Sequence, residues 1–153
     1  MRATLSSNRG HEHFQLDFGE PTRLAGDVGL LSALDIRVPE WGEAGPLPCQ
    51  IKVPGLWLRV GALIELHTAI VTWLAQPLET LAITALVRGF ELAGKRGQSL
   101  CLQFQDRKGG VPGRQGLSVA LVAAFRTEVG FTTDPSCLDQ FAAELDVAVD
   151  DYR

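Results

Sequence analysis

Three histidines, three cysteines and a glycine-rich loop are the parts of this 153-residue chain that chemistry would use. His11 and His13 flank Glu12 in an extended segment, which puts both imidazoles on one side. A metal site normally needs three or four protein ligands, and two neighbouring histidines fall short. His67 lies far along the chain, on an apolar helix face. The three read as two surface histidines and one packed histidine. Cys49, Cys101 and Cys137 are odd in number, widely spaced and without a Cys-x-x-Cys pair. They read as buried free thiols of a reducing compartment, and burial raises a thiol pKa. Neither Ser99 nor Ser118 sits in a Gly-x-Ser-x-Gly elbow. Residues 109–116, Gly-Gly-Val-Pro-Gly-Arg-Gln-Gly, have the glycines of a phosphate cradle. They lack its Lys-Ser/Thr ending and precede a strand, so no helix N-terminus faces an anion. A hairpin loop accounts for them. No catalytic, cofactor or metal site is expected.

What remains is recognition. Of the tryptophans, Trp57 and Trp73 fall in core patterns, whereas Trp41 sits among Pro and Gly and suits an exposed anchor. The net charge is −4, which argues against nucleic acid as a partner because phosphate contacts need a basic surface. Small basic clusters at Arg88, Lys95 and Arg96, and at Arg107, Lys108 and Arg114, fall in expected turns. Acidic residues gather near the end of the chain, at Asp139, Glu144, Asp146, Asp150 and Asp151. No signal-like stretch opens the sequence, and no uncharged apolar run reaches the length of a membrane span. The expectation is a cytoplasmic protein with no membrane contact.

The elements that would position these residues follow from periodicity. Residues 1–12 are polar and read as a flexible N-terminus, with one domain over 13–153. Residues 13–18 alternate, with Phe14, Leu16 and Phe18 on one face. Residues 19–29 are turn-rich, and 30–38 alternate again until Pro39. Residues 40–48 read as a loop. Cys49, Ile51 and Val53 mark a third strand, which Pro54-Gly55 closes or bulges before 56–58 extends it. Val60, Leu63, Ile64, His67, Ile70, Val71 and Leu74 then fall at helical spacing, with Leu66 and Trp73 beside that stripe. Weaker strand patterns follow at 81–93 and a clear one at 99–106. Over 117–131 one parity persists, as one bent strand or two in sequence. Asp134-Pro135 opens a second helix whose face is Leu138, Phe141, Ala142, Leu145, Val149 and Tyr152. The expected class is α+β: a mainly antiparallel sheet of about six strands packed with two helices, in the order β-β-β-α-β-β-β-α. The sequence shows no internal repeat.

This order, the Trp73-Leu74 pair in the first helix and the Phe90-Glu91-Leu92 strand after it resemble the bacterial WapI-type immunity proteins and their uncharacterised relatives. The resemblance covers most of the chain. It implies a small cytoplasmic protein that neutralises a cognate toxin by direct binding, without catalytic residues. An acidic inhibitor would be steered to a basic toxin domain. The candidate partner-binding residues are Trp41, Glu43, Glu144, Asp146, Asp150 and Asp151, with Asp35 and Glu40 beside them in rank. Two other classes compete. A self-associating structural or regulatory module, forming a homodimer, would use the apolar first helix and an open sheet edge. A small-molecule-binding or enzymatic domain would use a tryptophan-lined pocket, with His67 and Glu65 as its polar groups.

Overall fold

The computed structural model describes residues 1–7, 10–42, 45–75, 83–90, 99–106, 115–122 and 126–153, and the side chains of 1–7, 10–38, 50–75 and 133–153. Its elements are β1 (Arg2–Ser6), β2 (His13–Leu24), β3 (Asp27–Gly42), β4 (Gly45–Arg59), α1 (Val60–Ala75), β5 (Ile83–Phe90), β6 (Ser99–Asp106), β7 (Gln115–Val122), β8 (Arg126–Thr133) and α2 (Pro135–Val149). A turn of 3-10 helix over Asp150–Tyr152 ends the chain. Each strand pairs antiparallel with the next, so sheet order follows chain order. The class is α+β, as the alternating and helical periods imply. The element order runs twice through four strands and a helix, although the residues show no such repeat.

The described strands number eight, not about six. Two differences account for this. Residues 2–6, expected to be flexible, form β1 on the edge of the sheet, with Leu5 opposite Phe14 and Ala3 opposite Leu16. A five-residue edge strand needs little apolar content, and Ala3 and Leu5, both fully buried, supply it. The long run before α2 divides into β7 and β8, one of the two forms its parity allows.

Two turn-rich stretches are also strand. Residues 19–24 continue β2 past a bulge at Gly19-Glu20, and the two-residue turn Ala25-Gly26 joins it to β3. Both turn residues have positive φ, 52° and 91°, as the right-handed twist of a tight hairpin requires. Residues 40–48, expected as a loop, belong to the paired ends of β3 and β4, with Pro39 opposite Pro48 and Gly42 opposite Gly45. Proline stops a strand only where its nitrogen must donate, and these positions do not ask for it.

Pro54 and Gly55 bulge β4. Leu34 pairs Val53 while Ser32 pairs Leu56, so two residues of β4 stand opposite Ala33 alone. Gly55 takes φ +70° there, a conformation that other residues rarely adopt. The extra residue flips the parity of β4. Ile51 and Val53 face the core before it, and Leu56 and Leu58 after it.

The core lies between one face of β1–β4 and the two helices. Phe14, Leu16, Leu34, Ile36 and Leu58 meet Leu63, Leu66 and Ile70 of α1 and Leu138, Phe141 and Leu145 of α2. Phe14 and Phe141 stack edge to face, with centroids 5.9 Å apart. Trp73 is buried, as expected. Trp57 is also buried, but outside that cluster. Leu56, Trp57 and Leu58 are buried in succession, so both faces of β4 are covered there. The Trp57 indole lies across the backbone of Gly29 and donates to the Thr22 carbonyl at 3.1 Å. Among the described residues no helix is long and apolar enough to cross a membrane.

Candidate partner interface

The six candidate residues fall on two separate parts of the fold. Trp41 stands on β3 opposite Pro46, one pair short of the last recorded pair, Gly42 with Gly45. Its side chain and all of Glu43 lie outside the described residues. The backbone register still places Trp41 on an unusual element. The last pair of β2 with β3 is His13 with Arg37, and β5 pairs β4 only at Trp57 and Leu58. Residues 38–42 and 45–49 therefore form a two-stranded arm with which no other described strand pairs. Five residues of strand reach about 16 Å.

The acidic candidates are on α2 and its end. Aspartate opens the helix as read: Asp134 accepts from the Cys137 N–H at 3.0 Å and from the Ser136 hydroxyl at 2.5 Å. Those bonds, the Ser136 one foremost, hold its carboxyl below the usual aspartate range. Glu144 turns toward the sheet. Its Oε2 accepts the Thr4 N–H of β1 at 2.6 Å, and its Oε1 accepts from Gln140 at 3.0 Å. It therefore closes an edge strand and is spoken for. Asp146 meets the Arg153 guanidinium at 2.6 Å and the His67 Nε2 at 3.6 Å. Arg153 also reaches His67 Nδ1 at 3.1 Å. An arginine can only donate, so Nδ1 accepts and the imidazole proton sits on Nε2, facing Asp146. His67 is thus a link between α1 and the end of α2. Glu65, expected beside it, is 76% exposed and stands 4.0 Å from Arg59 instead.

Asp150 and Asp151 are different. Both are exposed, and neither has a cation partner among the described residues. The last turn of α2 carries no basic residue. Anions at a helix C-terminus face the negative end of its dipole, at a cost of about 0.3–1 kcal/mol each.

The sheet face away from the core carries a polar tile that includes Asp35. Arg2 binds Asp17 at 2.6 Å, and Gln15 adds a bond at 2.9 Å. Burial pushes the Asp17 carboxyl up, but those two partners outweigh it and leave the group below its ordinary range. Asp35 takes both hydrogen bonds of the Gln50 amide at 2.9 Å, with Lys52 at 3.6 Å and His13 at 3.8 Å. Cross-strand alternation alone would have put these residues together, once the register was known. His11 is exposed, and Glu12 binds the Ser7 hydroxyl, so His11, Glu12 and His13 do not converge. Among the described residues no group of three or more His, Cys, Asp or Glu side chains could hold a metal. Cys137 is half-buried near the start of α2, and burial, with the Asp134 charge, raises its thiol pKa. Residues 107–114 lie outside the described residues.

Comparison of the chain with protein-family models and with curated proteins gives no match.

Proposed function

We propose that this protein acts by binding another protein, as an immunity protein neutralising a cognate toxin, and that it carries out no reaction. The observation that supports this is the pair Asp150 and Asp151. Two exposed carboxylates at the negative end of a helix destabilise the fold, and no described cation offsets them. A basic partner surface would supply that charge and would be steered to it over several ångströms. Glu144 and Asp146 drop out of the interface in this reading, because one closes β1 and the other joins α1 to Arg153. The reading keeps the protein in the cytoplasm, without cofactor, metal or nucleic acid.

The test uses the product of the reading frame adjacent to this one. Its expression alone should arrest growth, and co-expression with this chain should relieve the arrest and yield a complex in gel filtration. Asp150→Lys with Asp151→Lys should weaken that complex at least tenfold at low salt and less at high salt. A neighbour that neither harms the cell nor binds this chain overturns the reading.

Self-association is the second reading, favoured by one observation. Val71 on α1 and Val147 on α2 are 46% and 61% exposed on helices that pack together. Light scattering across a concentration series separates the two: a monomer at every concentration removes the homodimer.

A further inference from the structure

We infer that the arm formed by residues 38–42 and 45–49 docks on the protein partner with its outer face and not with its edges. The inference rests on the partner-binding reading above, and it names a second surface for it.

The argument starts from which way each strand residue directs its N–H. Ser7 N–H reaches the Glu12 carbonyl and Phe18 N–H the Met1 carbonyl, so even residues of β2 face β1 and odd ones face β3. Pairing of His13 with Arg37 and Gln15 with Asp35 then turns the odd residues of β3 toward β2. Its even residues turn toward β4, where Val38 pairs Cys49 and Ile36 pairs Ile51. On β4, residues 46, 48, 50, 52 and 54 are left pointing away from β3. Pro46, Pro48 and Pro54 occupy three of those five positions, and Pro39 occupies the matching outward position on β3. The arm itself has three prolines, Pro39, Pro46 and Pro48, and every one removes a donor from an outer edge. Such an edge is a poor template for strand addition. A partner must meet the arm by its faces.

The same register sorts those faces. Val38 continues the buried side of β3 after Leu34 and Ile36. The opposite face of the arm holds Pro39, Trp41, Pro46 and Pro48 at adjoining positions. Prolines lose little freedom on binding and tryptophan is the richest of hot-spot residues, so this face suits an apolar pocket. Charge states what rims that pocket. Arg37 precedes the arm on this face and is exposed, and none of the described carboxylates reaches it. Asp17 and Asp35, its neighbours on the tile, are held by Arg2 and by Gln50 and Lys52. The fitting occupant is a protein surface with an apolar depression and a carboxylate at its margin.

The experiment measures the dissociation constant for the adjacent gene's product by calorimetry. Trp41→Ala and Arg37→Glu should each raise it at least tenfold, with the Arg37 effect shrinking in high salt. Both variants should keep the wild-type circular dichroism and melting temperature within a few degrees. Retained tight binding by both, with binding lost in Asp150→Lys plus Asp151→Lys, overturns the arm and leaves the partner reading intact. No binding by the wild-type protein overturns both. Pro46→Thr with Pro48→Thr restores two edge donors and should bring self-association in sedimentation. A double variant that keeps the wild-type mass at all concentrations counts against the blocked edges.

Discussion

The two helices bury equal stripes and are secured in different ways. On α1 the buried set is Val60, Ala62, Leu63, Leu66, Ile70 and Trp73; on α2 it is Leu138, Phe141, Ala142, Leu145, Ala148 and Val149. Neither helix has an acidic residue in its first turn or a basic one in its last. On α1 the Thr68 and Thr72 hydroxyls bond only to carbonyls of the same helix. By contrast α2 is capped by Asp134, tied to β1 by Glu144 and tied to α1 by Asp146. Burial, with the His67 contacts to Asp146 and Arg153, holds a helix whose sequence is apolar over more than half its circumference. A half-polar helix needs directional bonds to fix its rotation and its end.

The comparison makes graded predictions. Truncating the shared core should hurt both helices alike: Phe141→Ala by about 3–5 kcal/mol and Leu66→Ala by about 2–5 kcal/mol, read from urea unfolding. The polar ties should then separate them. Glu144→Ala orphans the Thr4 N–H and should cost about 1–3 kcal/mol, while Thr68→Ala on α1 should stay within about 0.5 kcal/mol. Equal losses from those two would erase the distinction. Next comes the cap: Asp134→Ala should cost about 1 kcal/mol at neutral pH. The Asp134 carboxyl lies below its unfolded value, so its contribution is complete above that value, about 3.9, and fades as pH falls through the folded pKa. The gap between wild type and variant should therefore close only in acid. Smallest is Arg153→Ala, at no more than about 1 kcal/mol, because its pair with Asp146 is exposed to solvent.

The second helix was legible in the sequence down to its first residue. Asp134-Pro135 marked the start, and five of the six residues assigned to its face are buried. Tyr152 is not, because the chain tightens into a 3-10 turn at Asp150. The first helix was legible in extent but not in rotation. Val71 was placed on its stripe and is exposed, whereas Leu66 and Trp73, placed beside the stripe, are buried. An apolar majority around the circumference leaves the buried side to be chosen by the sheet. The strands showed their parity wherever a full core face was present, as in Phe14-Leu16-Phe18. They hid it in β1, too short to show a period, and in the arm, where prolines read as breakers until the edge they face is known. The site was the least legible. Glu144 finds its partner 140 residues away and His67 finds Arg153 86 residues away, and no local pattern encodes such meetings.

One such meeting has a consequence for synthesis. The outer side of β1 is finished by Thr4 bonding to Glu144 and by Ser6, whose carbonyl receives the Thr133 hydroxyl at 2.8 Å. During translation β1 must wait, half satisfied, until Thr133 and Glu144 have emerged. Loops so long are slow to close, and the waiting strand is a place where nascent chains could stick to one another. A ribosome-bound intermediate lacking α2 should therefore recruit a chaperone that the chain with α2 in place no longer needs.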